Sequence, residues 1–87
     1  MKKMQETEAY QRLASAFDIQ REYNSLVFKV GGQQVALIDV DDGIPNIDIH
    51  LHVGGPDSVS VFADILNDFI DVADTFTKKQ LEKRGEK

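Results

Sequence analysis

Asp48, His50 and His52 stand at alternate positions, so an extended chain would project one carboxylate and two imidazoles from the same face. Neutral imidazole nitrogens with a carboxylate oxygen are a donor set for a divalent transition metal such as zinc or nickel. If Ile38 pairs with Ile49 on a neighbouring strand, Asp39 lies opposite Asp48 and adds a second carboxylate. Same-face neighbours along a strand sit about 7 Å apart at Cα, which His-x-His ligation tolerates. Any half-exposed strand shows the same polar alternation, however, and the expectation is that these side chains fill an outer face without holding a metal.

Other chemistries find less. Ser58 and Ser60 can be grouped on paper with a histidine and an aspartate, but no G-x-S-x-G context sharpens a nucleophile. The run Gly54-Gly55-Pro56-Asp57-Ser58 enters a helix N-terminus, a geometry that elsewhere cradles phosphate. It lacks the G-x-x-x-x-G-K-[ST] pattern, and Asp57 and Asp64 would repel the anion. A strand stop followed by a helix cap accounts for it. The chain has no cysteine, which excludes a disulfide framework, a thiolate zinc site and a cysteine nucleophile. The expectation is a protein that is not an enzyme and takes no cofactor.

What does stand out is charge. Between Lys29 and Lys78 there is no lysine or arginine, while nine aspartates and no glutamate occupy the interval. The first 29 residues carry +1 and the last ten +3, so a net charge of −5 leaves −9 in the middle. Such a block repels nucleic-acid phosphates and attracts basic protein surfaces. Asp64, Asp68 and Asp71 follow helical spacing, with Asp74 at the margin, forming a stripe opposite an apolar face. Asp39, Asp41 and Asp48 belong to the strand region. These seven aspartates are the candidate partner-binding residues.

The elements that must position them follow from periodicity. Tyr10, Leu13, Ala14 and Phe17 share one helical face, predicting a first helix from about residue 7; Phe17, Ile19 and Tyr23 either continue that face or begin an extended approach to the first strand, and a helix to about residue 22 is the expectation. Leu26, Phe28 and Val30 alternate with Ser25, Val27 and Lys29, and Gly31-Gly32 permits a tight turn into a second strand over 33–40. A three-residue loop, Gly31 to Gln33, sets Phe28 opposite Ala36 and Leu26 opposite Ile38; a two-residue loop sets Leu26 opposite Leu37. The second strand is apolar on both faces. Residues 41–46 read as a turn, after which Ile47, Ile49, Leu51 and Val53 form a half-buried third strand. Val59, Phe62, Leu66, Phe69, Ala73 and Phe76 then mark a core helix starting near Asp57 or Ser58. Running to about residue 83 it is about 40 Å long, against about 23 Å for a seven-residue strand. Its C-terminal turns are therefore expected to overhang the sheet.

The fold class predicted is α+β: one small domain over residues 1–87, ordered helix, three-stranded antiparallel meander, long C-terminal helix packed on the sheet, with 1–6 and 78–87 as solvated ends. At 87 residues a hydrophobic core is only just sufficient, so oligomerisation or a partner would help. Lys2 and Lys3 lead into a polar run instead of an apolar one, and no stretch approaches a membrane span. A cytoplasmic protein that contacts no membrane is expected.

In size, acidity and lack of catalytic residues the chain resembles the small acidic proteins that phages and mobile elements encode to block nucleic-acid-handling enzymes, among them DNA mimics and anti-CRISPR proteins. The resemblance is one of type and assigns no residue a role. It implies a non-enzymatic inhibitor or modulator of a basic, nucleic-acid-binding partner that contacts no nucleic acid itself. The competing expectation is an assembly module, a homodimer or small chaperone, joined through Val27, Val35 and Leu37 on the outer sheet face.

Overall fold

A computed structural model describes residues 4–85, with side chains through Glu82. After a 3₁₀ turn at Met4–Glu6 come α1 (Glu8–Ala16), β1 (Asp18–Arg21), β2 (Ser25–Val30), β3 (Gln33–Asp41), β4 (Ile44–Ile49) and α2 (Ser58–Gly85). The strands form one antiparallel sheet in the order β1-β2-β3-β4. This is an α+β domain with two helices, and it has four strands where three were expected. Among the described residues no helix is long and apolar enough to cross a membrane.

The fourth strand comes from the end of the expected first helix. Thr7 caps α1, its Oγ1 accepting from the Tyr10 N–H at 3.3 Å, and Ala9 and Leu13 bury one face. The helix stops at Phe17, in extended conformation, because its continuation would bury the wrong residues. A further helical turn would turn Gln20 toward the core and Ile19 away from it. A strand instead directs Phe17 and Ile19 inward and Asp18 and Gln20 outward. Arg21 follows on the inner side, its guanidinium 5.7 Å from the Phe76 ring centre. Period two wins because it matches which residues are apolar.

At the β2–β3 hairpin, Leu26 does face Ile38 and Phe28 does face Ala36, but by another device than a three-residue loop. Gly31 (φ 59°) and Gly32 (φ 82°) make a two-residue turn between Val30 and Gln33. The register then shifts between Phe28 and Lys29, where Val35 is the extra residue of a bulge. The β3–β4 connection is likewise a two-residue turn, Asp42 (φ 54°) and Gly43 (φ 79°), between Asp41 and Ile44. Residues 44–46, expected as turn, are therefore strand. Ile38 faces Ile47 and not Ile49, and Asp39 faces Asn46 and not Asp48. The third expected strand also ends earlier, at Ile49, leaving Leu51 to Val53 outside it. Pro45 is tolerated because β4 is an edge strand: the His50 N–H donates to the Val35 carbonyl at 2.7 Å, and counting back in twos turns Pro45's missing donor away from β3.

Both helices cover one sheet face. The core comprises Met4, Ala9 and Leu13, the strand residues Leu26, Phe28, Ala36, Ile38 and Val40, and Phe69, Val72, Ala73 and Phe76 of α2. Met4 is only 2% exposed, so the solvated N-terminal end does not reach residue 4; residues 1–3 lie outside the described residues. α2 is 28 residues long, about 42 Å. Exposure at the start of α2 was not expected, and at the other end some residues do make contacts. Thr77 is buried and its hydroxyl donates to the Ala73 carbonyl at 2.7 Å. Gln80 Nε2 donates to the Tyr23 carbonyl at 3.1 Å, and the Leu81 side chain lies against Gly43. In the first turn of α2, Val59 is 83% exposed. Of the expected solvated C-terminal end, Lys78, Leu81 and Glu82 are exposed, and the side chains of 83–85 and all of 86–87 lie outside the described residues.

Candidate functional site

The residues with metal-ligand potential are dispersed. Asp39 stands between Ser25 and Asn46, whereas Asp48 pairs with Leu37, two residues earlier in β3. His50 is exposed just beyond the end of β4, and His52 lies past the strand, where alternation no longer governs its direction. Among the described residues no three His, Cys, Asp or Glu side chains come together as a metal set. Ser58 opens α2 and lies near His52, with no hydrogen bond joining them among the described residues and no carboxylate lining that hollow.

The helical stripe divides in two. Arg12 of α1 reaches across to Asp68 with a two-pronged contact, Nε to Oδ2 at 3.0 Å and an NH2-group nitrogen to Oδ1 at 2.8 Å. Asp68's side chain is only 13% exposed, and the same guanidinium is 3.6 Å from Glu8. The hydrogen bond to Asp68 is the main cause that raises the Arg12 pKa above its ordinary value. Asp74 pairs with Lys78 one helical turn on, at 3.0 Å. A cation placed 56 residues away in sequence thus relieves part of the repulsion that the lysine-free middle implied. Asp64 and Asp71 keep their exposure with no ion pair among the described residues.

On the sheet, the face away from the helices carries the row Gln20, Val27, Leu37, Asp48 and beside it Ser25, Asp39, Asn46. Asp39 is half-buried, Asp41 and Asp48 are exposed, and none has an ion pair among the described residues. Val27 is 6% exposed although no helix covers it, because neighbouring strand residues crowd it; Val35 and Leu37 are half-buried. The seven candidate aspartates therefore occupy two surfaces, with Asp68 and Asp74 engaged within the chain.

A third feature escaped the sequence reading. Beyond β4 the chain passes alongside the first turns of α2, leaving a groove of about 470 Å³. Leu51, Val53, Val59, Phe62, Ala63 and Leu66 supply most of its walls. The available signal was the surplus of apolar residues at the start of α2 over what a short sheet can cover. Comparison with protein-family models, with curated proteins and with solved structures finds no match to this chain.

Proposed function

We propose that this protein is a non-enzymatic binding module that docks through its acidic middle segment onto a basic protein surface, of the kind nucleic-acid-handling proteins present, and thereby inhibits or modulates that partner. The observation that carries this reading is the set Asp39, Asp41, Asp48, Asp57, Asp64 and Asp71. All are at least partly exposed, without an ion pair among the described residues, in a stretch that contains no lysine or arginine. Short aspartate side chains on strands and a helix hold charge at fixed positions with little rotamer freedom to lose. A field of one sign speeds encounter with an oppositely charged surface.

Self-association through Val27, Val35 and Leu37 draws less support. Val27 is already buried, so covering it gains little apolar area. A two-fold copy would also bring Asp39 and Asp48 against like charges. The test is capture of partners from the source cell at low salt and at about 500 mM salt, where charge is screened within a few ångströms. Basic partners retained at low salt and shed at high salt support the reading, and the isolated chain should shift neither duplex nor single-stranded nucleic acid. Salt-sensitive nucleic-acid binding by the chain itself would overturn it.

A further inference from the structure

The sheet stops at β4 before its apolar side chains are covered. Every residue from Ile44 to Asp48 is exposed. Ile47 points to the helix side, opposite the fully buried Ile38, yet is itself 37% exposed. On α2, Leu81 lies against Gly43 at the β3–β4 turn, and Ile70, eleven residues earlier, is three turns back on the same helical face. It stands about 17 Å from Leu81 along the helix, while Ile47 is about 13 Å from Gly43 along the strand. Ile70 is 53% exposed. Two isoleucines thus border the space that a fifth strand would fill. The backbone is open there as well. Because the His50 N–H bonds to Val35, the main-chain groups of Asp48 and Asn46 also turn toward β3, and those of Pro45, Ile47 and Ile49 turn outward. An unpaired edge of this kind is a template for another strand.

We infer that β4 pairs antiparallel with β4 of a second copy about a two-fold axis at Ile47, joining two four-stranded sheets edge to edge. The order of residues in the strand selects this occupant. Around Ile47 the strand is self-complementary: Asn46 comes opposite Asp48 of the second copy, and Pro45 opposite its Ile49. The two Ile47 residues exchange a pair of backbone bonds, and each Ile49 N–H donates to the opposite Pro45 carbonyl. Pro45 and Asp48 are residue types that protect an edge, and this register accommodates both. The donor that Pro45 lacks falls at the end of the ladder, and each Asp48 carboxylate meets an amide. An axis at Asp48 would set Asp48 against Asp48, and one at Asn46 would leave only the Ile47-to-Pro45 bonds. An axis at Ile49 would call on Leu51, which lies beyond the strand in the hollow beside α2. With the axis at Ile47, the helices of both copies lie on one face of the joined sheet, and each Ile47 is covered by its counterpart beside Ile70.

This contact is independent of the acidic docking proposed above and has the opposite salt signature, because two copies of charge −5 repel each other until salt screens them. Sedimentation equilibrium of the full chain from about 1 μM to about 1 mM should show a monomer–dimer equilibrium that tightens on going to about 500 mM salt. Hydrogen exchange at the Ile47 and Ile49 amides should slow as the dimer forms. Asn46→Asp sets like charges across both symmetry-related pairs and should weaken the dimer about tenfold, whereas Asn46→Lys should tighten it about tenfold. Gln20→Asp and Gln20→Lys make the same charge changes on β1, at the other edge of the sheet, and should shift the equilibrium less than about threefold. Both positions are exposed, so circular dichroism and the urea midpoint should hold in all four variants.

A chain that stays monomeric at about 1 mM in high salt overturns the inference and leaves the acidic reading standing. A dimer whose Ile47 and Ile49 amides exchange as fast as in the monomer overturns it as well, and so does one that responds to Asn46 no more than to Gln20, since the contact then lies elsewhere. A dimer that follows the Asn46 variants while no basic partner is captured at low salt supports the inference and sinks the acidic reading.

Discussion

Phe69 has no exposed surface and joins three elements: its ring centre is 4.8 Å from that of Phe28 on β2 and 5.9 Å from that of Phe17 at the end of α1. Phe69→Ala removes both ring contacts and leaves a cavity that a small core can only partly collapse. The expected loss is about 3–5 kcal/mol in urea denaturation, a large share of the 5–15 kcal/mol typical of whole domains. A loss under about 1 kcal/mol would mean that the three rings do not form the centre of the core. Arg12 acts differently, because it is exposed and its partner Asp68 is not. A double-mutant cycle of Arg12→Met and Asp68→Asn should give a favourable coupling that shrinks as salt rises. Zero coupling at low salt would return Asp68 to the pool of free docking charge. Nothing in the sequence announces this pair: Arg12 has Glu8 at i−4 as its legible partner, and contact with Asp68 depends on how two helices cross.

Turns decided the register between elements, and they were legible only where residue chemistry names a single turn type. Asp42-Gly43 is a favoured two-residue hairpin signal, yet Pro45 made the longer stretch look like loop, although an edge strand accommodates proline when its missing donor faces outward. That two-residue difference moved Asp39 away from Asp48 and dissolved the candidate metal set. Val35 shows the converse. A bulge inside a strand has no marker in an apolar run, and here it restored the pairing that a longer loop would have produced. β1 was readable in principle, since Gln20 and Arg21 interrupt the helical face that Tyr10, Leu13 and Phe17 began. Gly43 provides the sharpest test at this scale. Its φ of 79° is a left-handed conformation, and an added Cβ would sit 3.1 Å from Leu81 Cδ2, whereas one on Gly31 (φ 59°) meets nothing within 4 Å. Gly31→Ala should cost about 1 kcal/mol for conformation alone, and Gly43→Ala about 1–2 kcal/mol. Placing both glycine variants in a Leu81→Ala background should bring the two urea midpoints together; an unchanged gap would mean that Leu81 does not close over that turn.

Across the whole molecule, a helix about 42 Å long on a short sheet has to leave part of its length uncovered, and the sequence showed the mismatch but not that the start of the helix shares it. The basic C-terminal residues suggested solvent there. Thr77 is buried, and Gln80 and Leu81 reach the hairpin turns at Tyr23 and Gly43, while Lys78 and Glu82 are exposed; the acidic and apolar start of α2 is exposed as well. This places free aspartates on two separate surfaces, Asp39, Asp41 and Asp48 around the open sheet and Asp57, Asp64 and Asp71 along the first half of α2. Triple Asp→Asn variants of each set separate them. Either triple should retain its far-ultraviolet circular dichroism, and the helix set should melt at a similar temperature, because Asp64 and Asp71 no longer repel Asp68 at i,i+4 and i,i+3 spacing while the helix N-terminus loses the charge of Asp57. With a partner captured at low salt, the triple on the docking side should associate about tenfold more slowly and with a flatter salt dependence, while dissociation changes less, since long-range attraction acts on encounter. A response confined to the sheet set would move docking to the open face around Leu37, and no response from either would reduce the aspartates to a solvated surface.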